Sequence, residues 1–84
     1  IKMMNAKKLF EELNYELVEN TEERLLYVNN YYPKYIEFDK FKCLVSKYET
    51  RHIFDYKYTT IPYGITFKEL EAVNRQVKEL EWHD

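Results

Sequence analysis

The pattern of apolar and polar positions changes period twice along the chain. Near the start, Leu9, Phe10, Leu13 and Leu17 follow a helical stripe. Asn5 precedes it and suits an N-cap, since its side-chain oxygen can accept from free backbone N–H groups. Met4 and Leu9 have the spacing of a hydrophobic staple. These signals predict a helix over residues 6–13. Asn14 is the expected stop, because after glycine asparagine best tolerates the left-handed conformation that closes a helix.

From Tyr15 to about Thr60 the chain is dense in Tyr, Phe, Val, Ile and Thr, which suit a pleated surface. Polar turn signals divide it into predicted strands over residues 15–18, 24–28, 34–38, 41–48 and 52–58. The breaks fall at Glu19-Asn20-Thr21-Glu22, at Asn29-Asn30 with Tyr31-Tyr32-Pro33, at Asp39-Lys40, and at Glu49-Thr50-Arg51. Short consecutive strands with tight turns imply an antiparallel meander. Ile61-Pro62-Tyr63-Gly64 then breaks the chain. Thr66-Phe67-Lys68-Glu69 follows as a capping box, with Ile65 and Leu70 at staple spacing. Phe67, Leu70, Val73, Val77 and Leu80 form the stripe of a second helix, and Glu71 and Arg75 make an i,i+4 pair on its solvent side.

A sheet with one apolar face must cover it, and two amphipathic helices can do so. The expected fold is α+β in two layers: an N-terminal helix, an antiparallel β-meander of three to five strands and a C-terminal helix, with both helices on one face of the sheet. Residues 1–84 leave room for one domain, and no repeat, linker or low-complexity segment interrupts them. Met3 or Met4 is the expected native start, with residues 1–3 extraneous or disordered.

Composition sharpens this picture in a few places. With 45% hydrophobic residues, one Gly and two Pro, the chain is not of the disordered class. Thirteen basic and fifteen acidic residues nearly balance, although residues 31–60 carry an excess of two positive charges. That is a faint version of the basic patch on which nucleic-acid binders rely. A single cysteine, Cys43, rules out an internal disulfide and suits a reducing compartment. No apolar run approaches the roughly 20 residues of a membrane span, and Lys2, Lys7 and Lys8 interrupt any apolar leader. The expected location is the cytoplasm, with no membrane partner.

Little in the sequence points to catalysis. His52, His83 and Cys43 are too few for a structural zinc site, which takes four Cys or His ligands. Cys43 alternates with Phe41 and Val45, so a buried strand position is its expected place, whereas His83-Asp84 reads as a terminal tail. The adjacent pairs Glu11-Glu12 and Glu22-Glu23 do not face each other on a helix, and one glycine cannot build a phosphate loop. No enzyme and no cofactor are expected.

Three stretches carry a resemblance: Ala6-Lys7-Lys8-Leu9-Phe10-Glu11-Glu12-Leu13 running into Tyr15, the run Ile36-Glu37-Phe38-Asp39, and above all Leu70 to Trp82. Together they resemble short uncharacterised proteins encoded by phages and prophages of Gram-positive bacteria. In those proteins a glycine commonly stands where Asn14 and Glu81 stand here. Asn14 can serve the same turn, and Glu81 is read as letting the last helix run on to Trp82. The resemblance implies a small accessory protein of a mobile element and carries no activity or functional residues.

Strand propensity and core filling account for the five Phe but less well for the nine Tyr, and strand parity separates the two faces. Leu26, Val28, Ile36, Phe38, Cys43, Val45, Phe54 and Tyr56 form the more apolar set and are assigned to the helix side. The opposite set holds Leu25, Tyr27, Tyr35, Glu37, Lys42, Leu44, Ser46, Tyr48, Asp55 and Lys57. Tyr27, Tyr35, Leu44 and Tyr48 are therefore the candidate partner-binding residues, since Tyr is enriched at protein interfaces. The expected function is binding of a host or phage protein, or of a second copy through the open face. The alternative is stacking of single-stranded nucleic acid on the aromatic face, with Lys34, Lys42, Lys47, Arg51 and Lys57 on the phosphates. The overall charge of −2 disfavours nucleic acid as a partner.

Overall fold

Helix α1 (Ala6–Glu12) begins where Asn5 accepts a hydrogen bond from the Lys8 amide at 2.9 Å. It ends at Leu13, and Asn14 takes a left-handed conformation with φ 68°, which turns the chain directly into the sheet. The structure, a computed structural model, describes residues 4–54 and 57–82, with backbone alone for residues 52–54. Five strands follow in chain order: β1 (Tyr15–Asn20), β2 (Arg24–Asn29), β3 (Lys34–Asp39), β4 (Leu44–Phe54) and β5 (Lys57–Pro62). Each is antiparallel to the next, in the order β1-β2-β3-β4-β5. Helix α2 (Phe67–Glu79) closes the chain on a complete capping box: Thr66 accepts from the Glu69 amide and Glu69 accepts from the Thr66 amide. The expected fold is the one observed.

Both helices lie over one face of the sheet. Phe10 of α1, Ala72 and Val73 of α2, and Tyr15, Leu25, Tyr27, Ile36 and Phe38 of the first three strands form the core. Phe10 stacks on Tyr27 at 4.0 Å between ring centroids, with Tyr15 and Phe38 edge-on around them. Such aromatic pairs contribute beyond their buried area.

The pairing register corrects the reading of the faces. Leu25 lies opposite Phe38 and Tyr27 opposite Ile36, so Leu25 and Tyr27, not Leu26 and Val28, face the helices. Tyr27 is only 1% exposed, and its hydroxyl donates to Gln76 at 2.6 Å. Residues 25–28 are apolar at every position, so alternation there is equally compatible with either face. A one-residue difference in register exchanges the two sets.

Three further expectations are corrected. Glu49-Thr50-Arg51 is not a turn: β4 continues through it to Phe54, because Glu49, Thr50 and Arg51 pair with Ile61, Thr60 and Thr59 of β5. Cys43 is not buried but exposed, in the turn before β4 with φ 53°. That turn is nucleated by Asp39, whose Oδ1 accepts from the amides of Phe41 and Lys42 at 3.0 and 2.9 Å. Helix α2 does not run on to Trp82. Glu81 adopts φ 57°, its amide donates to the Lys78 carbonyl, and that of Trp82 donates to the Val77 carbonyl. This is a Schellman stop without glycine, and it places the Trp82 ring 6.2 Å from Phe38. Phe54, Asp55, Tyr56, residues 1–3 and His83-Asp84 were also assigned from the sequence; the Phe54 side chain and the rest of that set lie outside the described residues.

The stripe of α2 is rotated from its expected centre. Phe67 is 81% exposed and Leu70 is exposed too, whereas Glu69, Ala72, Val73 and Gln76 are buried. Polar anchors draw the helix into this orientation. Glu69 accepts from Lys47 Nζ and from the Tyr15 hydroxyl, both at 2.6 Å, besides its bond to the Thr66 amide. Burial alone would push the Glu69 carboxyl up, but the bonds from Lys47, Thr66 and Tyr15 outweigh it and hold the group below its ordinary value. The Tyr15 hydroxyl is pushed well up, by burial first and then by its bond to Glu69.

Candidate functional site

Among the described residues, no second layer covers the sheet face turned away from the helices. The register places the residues that matter here in three of its rows. Glu16, Val28, Tyr35, Tyr48 and Pro62 follow one another across all five strands. Glu19, Leu26, Glu37 and Ser46 form the next row, and Arg24, Asp39 and Leu44 the third.

The centre is aromatic and held in place. The rings of Tyr35 and Tyr48 stack at 5.2 Å with an interplanar angle of 17°. The Tyr48 hydroxyl donates to Glu37 Oε1 at 3.0 Å, and Arg24 Nη1 donates to the same oxygen at 3.0 Å. Arg24 also grips Glu19 with two nitrogens, Nε to Oε2 and Nη2 to Oε1. Bidentate geometry of this kind orients a guanidinium as well as neutralising it. Burial first, and then the bond to Glu37, pushes the Tyr48 hydroxyl up to about 12, so it stays a neutral donor. The bonds from Arg24 hold the Glu19 carboxyl below the usual carboxylate range.

Beside this centre lies an open hollow of about 450 Å³, lined by Glu37, Ser46, Lys47, Tyr48, Thr60 and Pro62, with the Lys47 ammonium itself turned to the helix side against Glu69. Two local features create it. The β4–β5 pairing ends where Pro62 meets Tyr48, so no β5 residue pairs with Ser46, and the serine side chain is itself small.

Of the four candidate residues, Tyr35, Leu44 and Tyr48 lie on this face, with Leu44 55% exposed. Tyr27 does not: it belongs to the core under the helices, for the register reason given above. Leu26, Val28, Arg24, Glu19, Thr60 and Pro62 are among the members that sequence reasoning missed, as are Glu16 and Asp39. Arg24 and Glu19 had no signal, since their closeness comes from the β1–β2 hairpin and its irregularity between Leu17 and Glu19. Thr60 and Pro62 were hidden because the last strand was expected to end at residue 58 and Ile61-Pro62 was read as a break, whereas β5 runs through both.

The five cations proposed for nucleic acid do not gather here. Lys47 is buried on the helix side against Glu69. Lys34 Nζ sits 4.4 Å from the ring centre of Tyr63 and 5.3 Å from that of Tyr32, two rings outside the open face. Arg51 donates to Glu49 on the side of the sheet that bears Lys47. Lys42 lies in the turn after β3, and Lys57 begins β5. Among the described residues, no helix is long and apolar enough to cross a membrane. Comparison with family models, with curated proteins and with solved structures finds no match.

Proposed function

We propose that the chain is a small accessory protein of the phage or prophage type, which acts in the host-cell cytoplasm by binding another protein and performs no catalysis. The phage assignment rests on the resemblance of the terminal runs. The binding assignment rests on one observation above all: an uncovered sheet face with the Tyr35–Tyr48 stack at its centre and Leu44 exposed at its edge. Apolar groups set among polar ones on an otherwise open surface mark interaction sites, and Tyr supplies contact area at low entropic cost. Single-stranded nucleic-acid binding draws no support from the placement of the cations.

The test compares the wild-type chain with Tyr35→Ala and Leu44→Asp as baits in a lysate of a Gram-positive host. Both residues point away from the core, so the variants should keep the wild-type circular dichroism spectrum. A protein retained by the wild type at moderate salt and lost by both variants is the expected result. A captured protein that both variants hold equally well would refute the assignment to this face. So would micromolar binding of labelled single-stranded DNA or RNA that weakens steeply with salt, as counterion release requires.

A further inference from the structure

The charge of the open face differs in sign from that of the sequence that builds most of it. Residues 31–60 carry more basic than acidic groups. Yet across β1 to β4 the open face presents Glu16, Glu19, Glu37 and Asp39 against Arg24 alone among the described side chains. The reason is the alternation of the strands: Lys34, Lys47 and Arg51 share the parity of Ile36 and Val45 and go to the other side. Arg24 is already committed to Glu19 and Glu37.

From this we infer that the partner presents a basic, partly apolar segment to the face, with one lysine or arginine seated in the hollow at Glu37. The inference rests on the protein-binding reading above and gives the chemistry of the partner. Glu37 lines the hollow, and both of its described hydrogen bonds end on Oε1, so Oε2 takes none of them. A cationic side chain entering beside Ser46 meets that carboxylate together with the Thr60 hydroxyl. Its apolar neighbours then lie along Tyr48, Tyr35 and Val28 in the adjoining row. Charge complementarity of this kind selects among partners more than it adds affinity. It also selects against two alternatives. A second copy applied face to face would set like carboxylates against each other, and a nucleic-acid strand would bring phosphates to an acidic surface.

The test is a titration of the isotope-labelled chain, followed by amide chemical shifts. Three ten-residue peptides are used: one alternating Lys and Arg with Val and Leu, one with Gln at the charged positions, and one with Glu there. The basic peptide is expected to shift the amides of Tyr35, Glu37, Tyr48 and Thr60. Replacing its charges by Gln, or Glu37 by Gln in the protein, should weaken binding by roughly tenfold, the effect of losing one charged hydrogen bond. The Glu peptide should not bind. If the Gln peptide binds as tightly as the basic one at the same amides, the face recognises apolar groups alone. The inference then fails while the protein-binding reading stands. Shifts confined to other surfaces would overturn both. The absence of shifts with any peptide at millimolar concentration would overturn the inference and leave the lysate experiment to judge the reading beneath it.

Discussion

Lys47→Met should be costly, although it replaces a charged residue by an apolar one of similar length. The Lys47 and Glu69 side chains are only 4% and 8% exposed, with nitrogen and oxygen 2.6 Å apart. Removing one member of a buried pair strands the other charge, at about 3–5 kcal/mol. Glu69 keeps its bonds from the Tyr15 hydroxyl and the Thr66 amide, and methionine refills the space of the lysine stem, so the low end, about 3 kcal/mol, is expected. A domain of this size has a total stability of roughly 4–12 kcal/mol, and the loss should lower the melting temperature by about 12–24 °C. The pH dependence gives a second, sharper check. In the wild type the folded carboxyl of Glu69 lies below its ordinary 4.5. Its stabilising contribution is therefore present above that value and lost as pH falls through the depressed one. In the variant the main opposing partner is gone and burial prevails, so the folded carboxyl moves up and its penalty is relieved as pH falls. The gap between the two proteins should thus narrow from pH 7 to pH 4. Urea unfolding followed by circular dichroism at both values measures it. A gap below about 1 kcal/mol at pH 7, or one that does not narrow on acidification, would refute the reasoning.

Other expectations follow from single positions. Tyr27→Ala should destabilise by about 3–5 kcal/mol, against about 1 kcal/mol for Tyr35→Ala; equal costs in chemical denaturation would contradict the assignment of faces. Glu81→Gly should stabilise by about 1 kcal/mol, because the left-handed conformation strains any residue with a Cβ, and an unchanged urea midpoint would mean that the helix stop has another shape. Thr66→Ala should cost on the order of 1 kcal/mol through the lost cap, a loss that equilibrium unfolding can resolve. At Asn14, glycine should be neutral or stabilising and valine should cost roughly 1 kcal/mol or more; equal melting temperatures for the two variants would argue against the left-handed turn.

The two helices were legible because their signals are local. An N-cap is a side chain bonded to a backbone group three residues away, and a left-handed stop depends on one residue's own backbone, so Asn5, the Thr66–Glu69 box and Asn14 can be found without knowing what lies opposite. The meander order was legible for a similar reason: the first three hairpins close on local polar turns, and successive hairpins leave little choice but a meander, whereas the last connection was misread at Glu49-Thr50-Arg51.

What the sequence left open was which side of each strand is inside. In Arg24–Asn29 four consecutive apolar residues satisfy either parity, and the choice was made by pairing with β3 and by Gln76 reaching the Tyr27 hydroxyl from α2. The same limit hid the charge of the open face, since Arg24, Glu19 and Glu37 meet only through register. It also misplaced Phe67, because the rotation of α2 answers to Lys47 and Tyr15, residues 22 and 54 positions away from Glu69 in the chain. Local bonds can be read one segment at a time. Which face is buried depends on distant segments meeting, and that was decided only when the sheet and the second helix closed on each other.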